Sequence, residues 1–560
     1  MPKGLSLLSA LNRNGIIIPT LCRMKDFTPT GACRICVVEV EGRDRLVTAC
    51  SQPVEEWMKI RTHSPRVIQA RKTIVELLLS NHPDDCLYCD RNLNCELQDL
   101  SAELNIRERR IRAKKIKPRL DQSSPAIVRE LSKCILCGRC VRVCEEIVTA
   151  TSIDFIQRGK NTHIGASMDR DFNFSSCIHC GQCLLVCPTG ALHEKHNINE
   201  IQEYLNKPDV IKVIQYSPQV TAGIAEELGL RHNKDTDRIL NAILRKIGFD
   251  KVFTTGTGTD VFITEVNGQL MRKLESKSSQ PLFISACPAW IKYCEQFMPS
   301  LIPMLSTVKS PQQITGVLIK TVVAGQYKVK PENIFSVSAT PCLAMKFEAR
   351  RDGMMRKGIS DVDSVLTVRE LARLIRLYGI DSTNIEPEPA DEPLAGRSSS
   401  AVLAEVSGGL TEGMLRALHY QVLKKEADRH LFKKLRSSGS FREINLLIGE
   451  FEISAAVVDG LTGLEKLKNS TDSGKNYDIV EVMTCPGGCV HGAGLPFNSA
   501  SDDIKSRSRM VYQTDDSEPV NLPCKSPHLI NLYEKLLKEN TEISDGKIFH
   551  THFEKRNVLL

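Results

Sequence analysis

The sequence predicts a multidomain protein of mixed α+β and α/β build, with small cysteine-rich modules leading into one large α/β domain. Three observations predict it. The chain has 560 residues, enough for roughly three to five domains. Of its 21 cysteines, 15 fall before residue 190. From about residue 209, strand-like runs (VIKVIQYS, PLFIS, NIFSVS, INLLIG, YDIVEVM) alternate with helical ones (SPQQITGVLIKTVVAGQYK, TVRELARLIRLYG, LINLYEKLLKE). That alternation is the pattern of mostly parallel sheets.

Composition narrows the class. Hydrophobic residues are 41% and charged residues 25%, ordinary for a globular chain, which excludes disorder as the main state. No apolar run approaches about 18 residues, so no membrane span is expected. The opening MPKGLSLLSALNRNG lacks the apolar core and cleavage site of a signal peptide. A cytoplasmic setting is therefore expected. There, dense cysteine reads as metal binding and not as a disulfide framework. Net charge is +7, which suits acidic partners weakly and gives no pointer to nucleic acid.

The first module carries Cys22, Cys33, Cys36 and Cys50. Three lie in the loop LCRMKDFTPTGACRIC and the fourth follows the strand VVEVEG. The order C-x10-C-x2-C…C is that of a plant-type 2Fe–2S ferredoxin, slightly altered in spacing; a zinc ribbon would show paired C-x2-C knuckles. The β-hairpin that usually opens such domains is missing, which reads as a truncated or misassigned start. The second module follows the amphipathic helix VIQARKTIVELLLS and carries His82, Cys86, Cys89 and Cys95, spaced H-x3-C-x2-C-x5-C. Taken alone it suits zinc and 4Fe–4S equally.

The third module holds two C-x2-C-x2-C-x3-C runs, Cys134, Cys137, Cys140, Cys144 and Cys177, Cys180, Cys183, Cys187, the second closing on Pro188. This is the bacterial two-cluster pattern, in which the fourth cysteine of each run ligates the other cluster. One cubane would use Cys134, Cys137, Cys140 and Cys187, the other Cys177, Cys180, Cys183 and Cys144. Between modules two and three the basic run IRERRIRAKKIKPR reads first as a solvated helix face and second as a docking surface for an acidic redox partner. One-electron carriers at successive sites make an electron wire.

Six cysteines remain. Cys287 (SACPAW), Cys342 (ATPCLAMKFE), Cys485 and Cys489 (VMTCPGGC) each follow a strand-like segment, so they can project from strand ends into one cleft. Four thiolates are what a further cubane needs. Cys294 and Cys524 read as packed or surface free thiols.

The cluster order, then SACPAW, TPCLAMKFE, EVMTCPGGC and the closing FHTHFEKR, resembles the iron-only (FeFe) hydrogenases over nearly the whole chain. The resemblance implies an H-cluster: a 4Fe–4S cubane on Cys287, Cys342, Cys485 and Cys489, with Cys489 bridging to a diiron unit that carries CO and cyanide. It also makes His82 with Cys86, Cys89 and Cys95 a 4Fe–4S site. The cofactors implied are one 2Fe–2S cluster, three accessory 4Fe–4S clusters and one further 4Fe–4S, with the diiron subcluster in question. The implied layout starts with a 2Fe–2S ferredoxin-like domain over 1–65. A 4Fe–4S domain with one histidine and three cysteine ligands follows over 66–120, then a two-cluster ferredoxin domain over 121–205 and a hydrogenase-like domain over 206–560.

The sequence leaves the family pattern where protons and cyanide are handled. The usual T-S-C-C-P is Ile284-Ser285-Ala286-Cys287-Pro288, so Ala286 stands where the proton-passing cysteine belongs. The usual M-P-C-x-x-K is Thr340-Pro341-Cys342-Leu343-Ala344-Met345, so Met345 replaces the cyanide-holding lysine and cannot donate a hydrogen bond. Lys346 is adjacent but points elsewhere. Val266 and Gln269 match the two glutamates of the proton path, with Glu265 one position early; Ser306 matches its serine, and Gln312 and Met483 match pocket positions. Ser217-Pro218-Gln219 keeps only the proline of an A-P-S pattern. His491 offers a new proton route, against the plainer reading of a surface histidine. Loss of several links of one relay stalls turnover as a unit.

Three functions are weighed. The first is an electron-relay subunit of an anaerobic iron–sulfur oxidoreductase, with hydrogen turnover lost or strongly reduced. It would work with ferredoxin or a flavin- or NAD-binding subunit, or with a formate dehydrogenase. The second is a hydrogen sensor or slow hydrogenase. The third is an active ferredoxin hydrogenase, H2 + 2 oxidised ferredoxin = 2 reduced ferredoxin + 2 H+, with a different proton route. Retained cluster ligands beside a dismantled relay favour the first.

Overall fold

The computed structural model describes residues 4–25, 27–108, 110–113, 119–230, 235–382, 384–497, 501–536 and 547–557. Part of the basic run between modules two and three, 109 and 114–118, lies outside them. The chain divides into two compact units, residues 1–177 with 182–195, and 178–181 with 196–560.

The smaller unit is cysteine loops on small scaffolds. Strand Val37–Val40 pairs antiparallel with Val47–Thr48 and Ile60–Arg61, and helix Leu7–Arg13, capped by Ser6, packs against it through Leu7, Leu8 and Leu11. Helix Pro65–Asn81 starts on Ser64, whose hydroxyl accepts from Val67 N, with proline at the first turn, both good helix-start signals. Its Val75 joins Leu21, Ile35, Leu97 and Leu100 in one apolar cluster. The cysteine loop at 22–36 and the segment before Glu96–Glu103 therefore share a core. Further along, Leu120–Asp121, Ile127–Glu130 and Leu192–Glu194 form an antiparallel sheet.

The larger unit is built on two four-stranded sheets. In the first, Lys251–Thr254, Ile211–Tyr216, Ile334–Thr340 and Ser364–Thr367 are all parallel. In the second, Leu282–Phe283, Ile479–Met483 and Phe451–Asp459 are parallel, and Phe441–Ile448 closes the edge antiparallel. Strands such as Ile334–Thr340 and Ile479–Met483 are buried at every position, as parallel strands covered on both faces must be. The helical run predicted after Ser310 extends from Pro311 to Leu318 and continues through Ile319–Val323 to Tyr327.

The polar composition near 499–523 is that of a loop insertion, yet Ser501–Ser517 is a helix. Its buried side is held by charge as well as apolar packing. Val511 is buried, Asp515 pairs with Arg416 at 2.9 Å and Arg507 with Glu226 at 2.8 Å. A helix fixed by ion pairs shows little apolar periodicity, which is the signal a sequence reading uses.

Candidate metal centre

Strand ends supply the cysteines of the larger unit. Ile334–Thr340 runs out at Pro341-Cys342, Leu282–Phe283 leads to Cys287, and Ile479–Met483 leads to Cys485. Ligand sites in open α/β sheets form at these carboxyl ends, where the chain turns and side chains meet. Cys287 is the N-cap of helix Pro288–Phe297, and its thiol lies 3.4 Å from Thr484 Oγ1. Backbone N–H groups of Ala344 and Met345 face the Cys342 sulfur.

Cys287, Cys342 and Cys489 line one cavity of about 650 Å³, together with Ala286, Met345, Gln312, Met483 and Glu405. Cys485 stands beside it, within electrostatic reach of Cys342 and Cys489. Burial pushes the Cys342 and Cys489 thiols well above their ordinary value, and the other cysteines push the same way. A thiol that resists ionisation when bare becomes a thiolate only with a compensating metal charge. The loop between Cys485 and Cys489 closes tightly. Gly488 has φ +93°, and a Cβ there would stand 2.6 Å from Ser407 N.

The residues that the resemblance aligns with the family's proton and cyanide groups fall in two places. Ala286 and Met345 line the cavity. Val266 is fully buried in an apolar cluster, and Gln269 turns to Thr307, donating to its hydroxyl at 2.8 Å. Glu265 accepts from Tyr533 OH at 2.9 Å and faces His550 at 3.7 Å. Ser306 is fully buried, with its hydroxyl accepting from Val308 N at 3.3 Å. His491 is half-buried rather than on the surface; its Nδ1 sits 3.3 Å from Pro486 O, and burial lowers its pKa. Lys346 is buried, with Nζ 2.7 Å from Glu370 Oε2.

Glu405 lines the cavity without any signal in the sequence. It sits between helices Ser399–Leu403 and Gly409–Leu423, and burial pushes its carboxyl up to about 7, partly offset by the Ser217 hydroxyl. A glutamate in the string LAEVSGG looks like an ordinary surface residue, and nothing in the sequence flags it.

In the smaller unit, Cys22 is hydrogen-bonded to Cys33 and Cys50, and Cys36 to Cys50, so these four sulfurs form one group. Cys134, Cys137, Cys140 and Cys187 line one cavity of about 420 Å³. Burial raises Cys134 to about 11 and Cys137 to about 12, with the charge of Cys187 pushing the same way. Gly138, at φ +74°, turns the chain there. Cys144 does not line that cavity; its sulfur accepts from Ser152 N at 3.3 Å. Cys177 and Cys183 belong to this unit and Cys180 to the 178–181 stretch of the larger one. Cys89 acts electrostatically on Cys95, which opens helix Glu96–Glu103; His82 ends helix Pro65–Asn81, and Cys86 is exposed. Cys294 is buried and Cys524 exposed; neither lines the cavities described.

Comparison with known proteins decides the family. Residues 210–493 match the iron-only hydrogenase large subunit, C-terminal domain. The chain belongs to the iron-only hydrogenase family. Ahead of that domain, 1–65 match a 2Fe-2S iron-sulfur cluster binding domain, 71–110 the NADH-ubiquinone oxidoreductase-G iron-sulfur binding region, and 133–191 a 4Fe-4S dicluster domain. The chain is 34% identical to the NADP-reducing hydrogenase subunit HndD of Solidesulfovibrio fructosivorans, over 100% of this chain and 98% of that one. It is 33% identical to iron hydrogenase 1 of Clostridium pasteurianum, over 98% and 97%. A solved [FeFe]-hydrogenase HydA1 from Chlamydomonas reinhardtii superposes with a TM-score of 0.57 at 27% identity, covering 64% of this chain and 99% of that one. Among the described residues no helix is long and apolar enough to cross a membrane.

The iron-only hydrogenase cofactor can be tested against this cavity. Four cysteines at strand ends and tight turns fit a 4Fe–4S cubane. A cyanide-bearing diiron unit fits poorly. It is anionic and accepts hydrogen bonds, while the cavity lining contains no Lys, Arg or His and does contain a carboxyl group.

Proposed function

We propose that this chain is an electron-relay subunit of the iron-only hydrogenase family in which hydrogen turnover is lost or strongly reduced. It passes electrons through one 2Fe–2S cluster on Cys22, Cys33, Cys36 and Cys50 and a 4Fe–4S cluster on His82, Cys86, Cys89 and Cys95. Two cubanes on the paired cysteine runs and one on Cys287, Cys342, Cys485 and Cys489 complete the set. One observation carries the reading: the cavity where hydrogen chemistry would occur is lined by Ala286 and Met345 and has no cationic side chain. Alanine has no proton to pass. A thioether cannot hold a cyanide nitrogen.

The chain's own residues then act as scaffold for electron transfer. The cysteines hold the clusters, and backbone N–H groups directed at Cys342 tune the potential. Similarity to a subunit named for NADP reduction, and to an iron–sulfur region named for NADH-ubiquinone oxidoreductase, supports a place in a multi-subunit, pyridine-nucleotide-linked complex. A flavin- or NAD-binding subunit is the proposed partner, with a formate dehydrogenase or ferredoxin as its further donor or acceptor.

The test is an infrared spectrum of the anaerobic chain after exposure to the diiron cofactor, under argon and then under H2. Absence of CO and cyanide bands, with iron matching the cubanes and the 2Fe–2S site alone, is the expected result. Bands that shift under H2 would reject the relay reading in favour of sensing or catalysis.

A further inference from the structure

Glu405 is anchored by its backbone on both sides. Its N–H donates to Val402 O at 3.4 Å and its carbonyl accepts from Val490 N at 3.3 Å. Val406 next to it bridges to Gly488. The side chain therefore cannot leave the cavity by a shift of its own loop without opening the turn that carries Cys489. The residue is about nine-tenths buried, lines the cavity, and its Oε2 has no hydrogen-bond partner.

Gln312 adds a second acceptor. Its Nε2 is directed to Met345 O and Glu348 Oε2, both at 3.4 Å. Two acceptors on that side fix the amide orientation and leave Oε1 as the other atom. That oxygen is also buried without a partner, and Gln312 lines the same cavity. A buried acceptor lacking a donor is costly, and far less so once a donor is supplied. Two such oxygens on one cavity, with no Lys, Arg or His in its lining, describe a site complementary to a donor. Cyanide is the opposite, an anion and an acceptor.

We propose that Glu405 sets the specificity of this cavity: it admits a cationic or hydrogen-bond-donating small occupant and shuts out a cyanide-bearing diiron unit. The inference rests on the electron-relay reading and gives it a cause beyond the losses at Ala286 and Met345. Restoring the proton-passing and cyanide-holding side chains would then not be enough to reload the site. An acceptor that faces the incoming anion must be removed as well.

The experiment uses the full chain with its iron–sulfur clusters in place, incubated anaerobically with a preformed diiron carbonyl–cyanide dithiolate complex. Infrared bands and iron per chain are read. The double variant Ala286→Cys/Met345→Lys is expected to show no CO or cyanide bands. Adding Glu405→Gly is expected to give both sets of bands and two more iron atoms per chain. Glu405→Gln in the same background keeps the shape, supplies an amide donor and is expected to load as well, which guards against a glycine variant that fails to fold. Loading of the double variant by itself would overturn the proposal, as would failure of both triple variants with cubane iron intact. Loading with glycine but not glutamine would mean that bulk, not acceptor character, excludes the anion, and would overturn the ligand class. Bands from the wild-type chain would overturn the relay reading and this proposal together; the other failures overturn this proposal alone.

Discussion

Lys346 Nζ lies 2.7 Å from Glu370 Oε2, with both side chains almost fully buried. The pair answers a question the sequence raises. A lysine one position beyond Met345 does not supply the missing cation to the cavity, because its charge is spent on Glu370. Burial works against the Glu370 charge, but Lys346, His196 and the Thr367 N–H outweigh it and hold its pKa down to about 2. Glu370 also accepts from Asn197 N at 2.7 Å and completes a capping box with Thr367 on helix Val368–Leu377.

Breaking that pair should be costly. Lys346→Met leaves a buried carboxylate without its cation, a loss of about 3–5 kcal/mol. Adding Glu370→Gln should recover part of the loss, because no unpaired charge remains. Urea unfolding of the three chains measures it. Equal stability of the single and double variants would show that the charge pairing contributes little.

A pH dependence follows from Glu348. Burial raises its pKa to about 7, against hydrogen bonds from Ser310 and Gln313 and the charges of Arg351 and Lys309. Between the unfolded carboxyl value near 4.5 and about 7 the folded chain holds the proton and the unfolded chain does not. Its contribution is complete below the unfolded value and is lost as pH rises through the folded one. A difference of one pKa unit between the two states is worth about 1.4 kcal/mol. Glu348→Gln removes the group, so relative to wild type the variant should gain stability from pH 5 to pH 8, by a few kcal/mol at most. Unfolding midpoints at the two pH values decide. A difference that does not change with pH would contradict the raised value.

Cluster assignment in the smaller unit can be read by additivity. Cys187 lines a cavity with Cys134, Cys137 and Cys140, and Cys144 does not. Cys187→Ala and Cys134→Ala should each lower iron by up to the four atoms of one cubane, and together should lower it no further. Cys134→Ala combined with Cys144→Ala should remove two cubanes. Iron analysis and low-temperature electron paramagnetic resonance measure both. The reverse pattern would assign each cubane to its own contiguous run.

Much of the site was legible because cysteine spacing is a local code. Runs such as Cys134 to Cys144 state their ligand count and turn geometry within about ten residues. The alternation after residue 209 was equally plain, since strands such as Ile334–Thr340 (IFSVSAT) are rich in β-branched and aromatic residues and stand between helical runs. Helix Ser501–Ser517 was not legible, because Arg507 and Asp515 hold much of its buried side by charge and leave little apolar period. Nor was Glu405, whose residue type gives no hint of burial.

The sequence by itself determined the family and pointed to the grouped cysteines and to Ala286 and Met345, because motif residues are named by identity and spacing alone. Tertiary structure decided which groups share a space. It joined Cys187 to the first cubane run in one cavity, drew Lys346 away to Glu370 and brought Glu405 up against Cys489 from 84 residues away in the chain. Burial and pairing depend on contacts between distant segments, and no local pattern encodes whether a charged side chain meets solvent, a partner or a cavity.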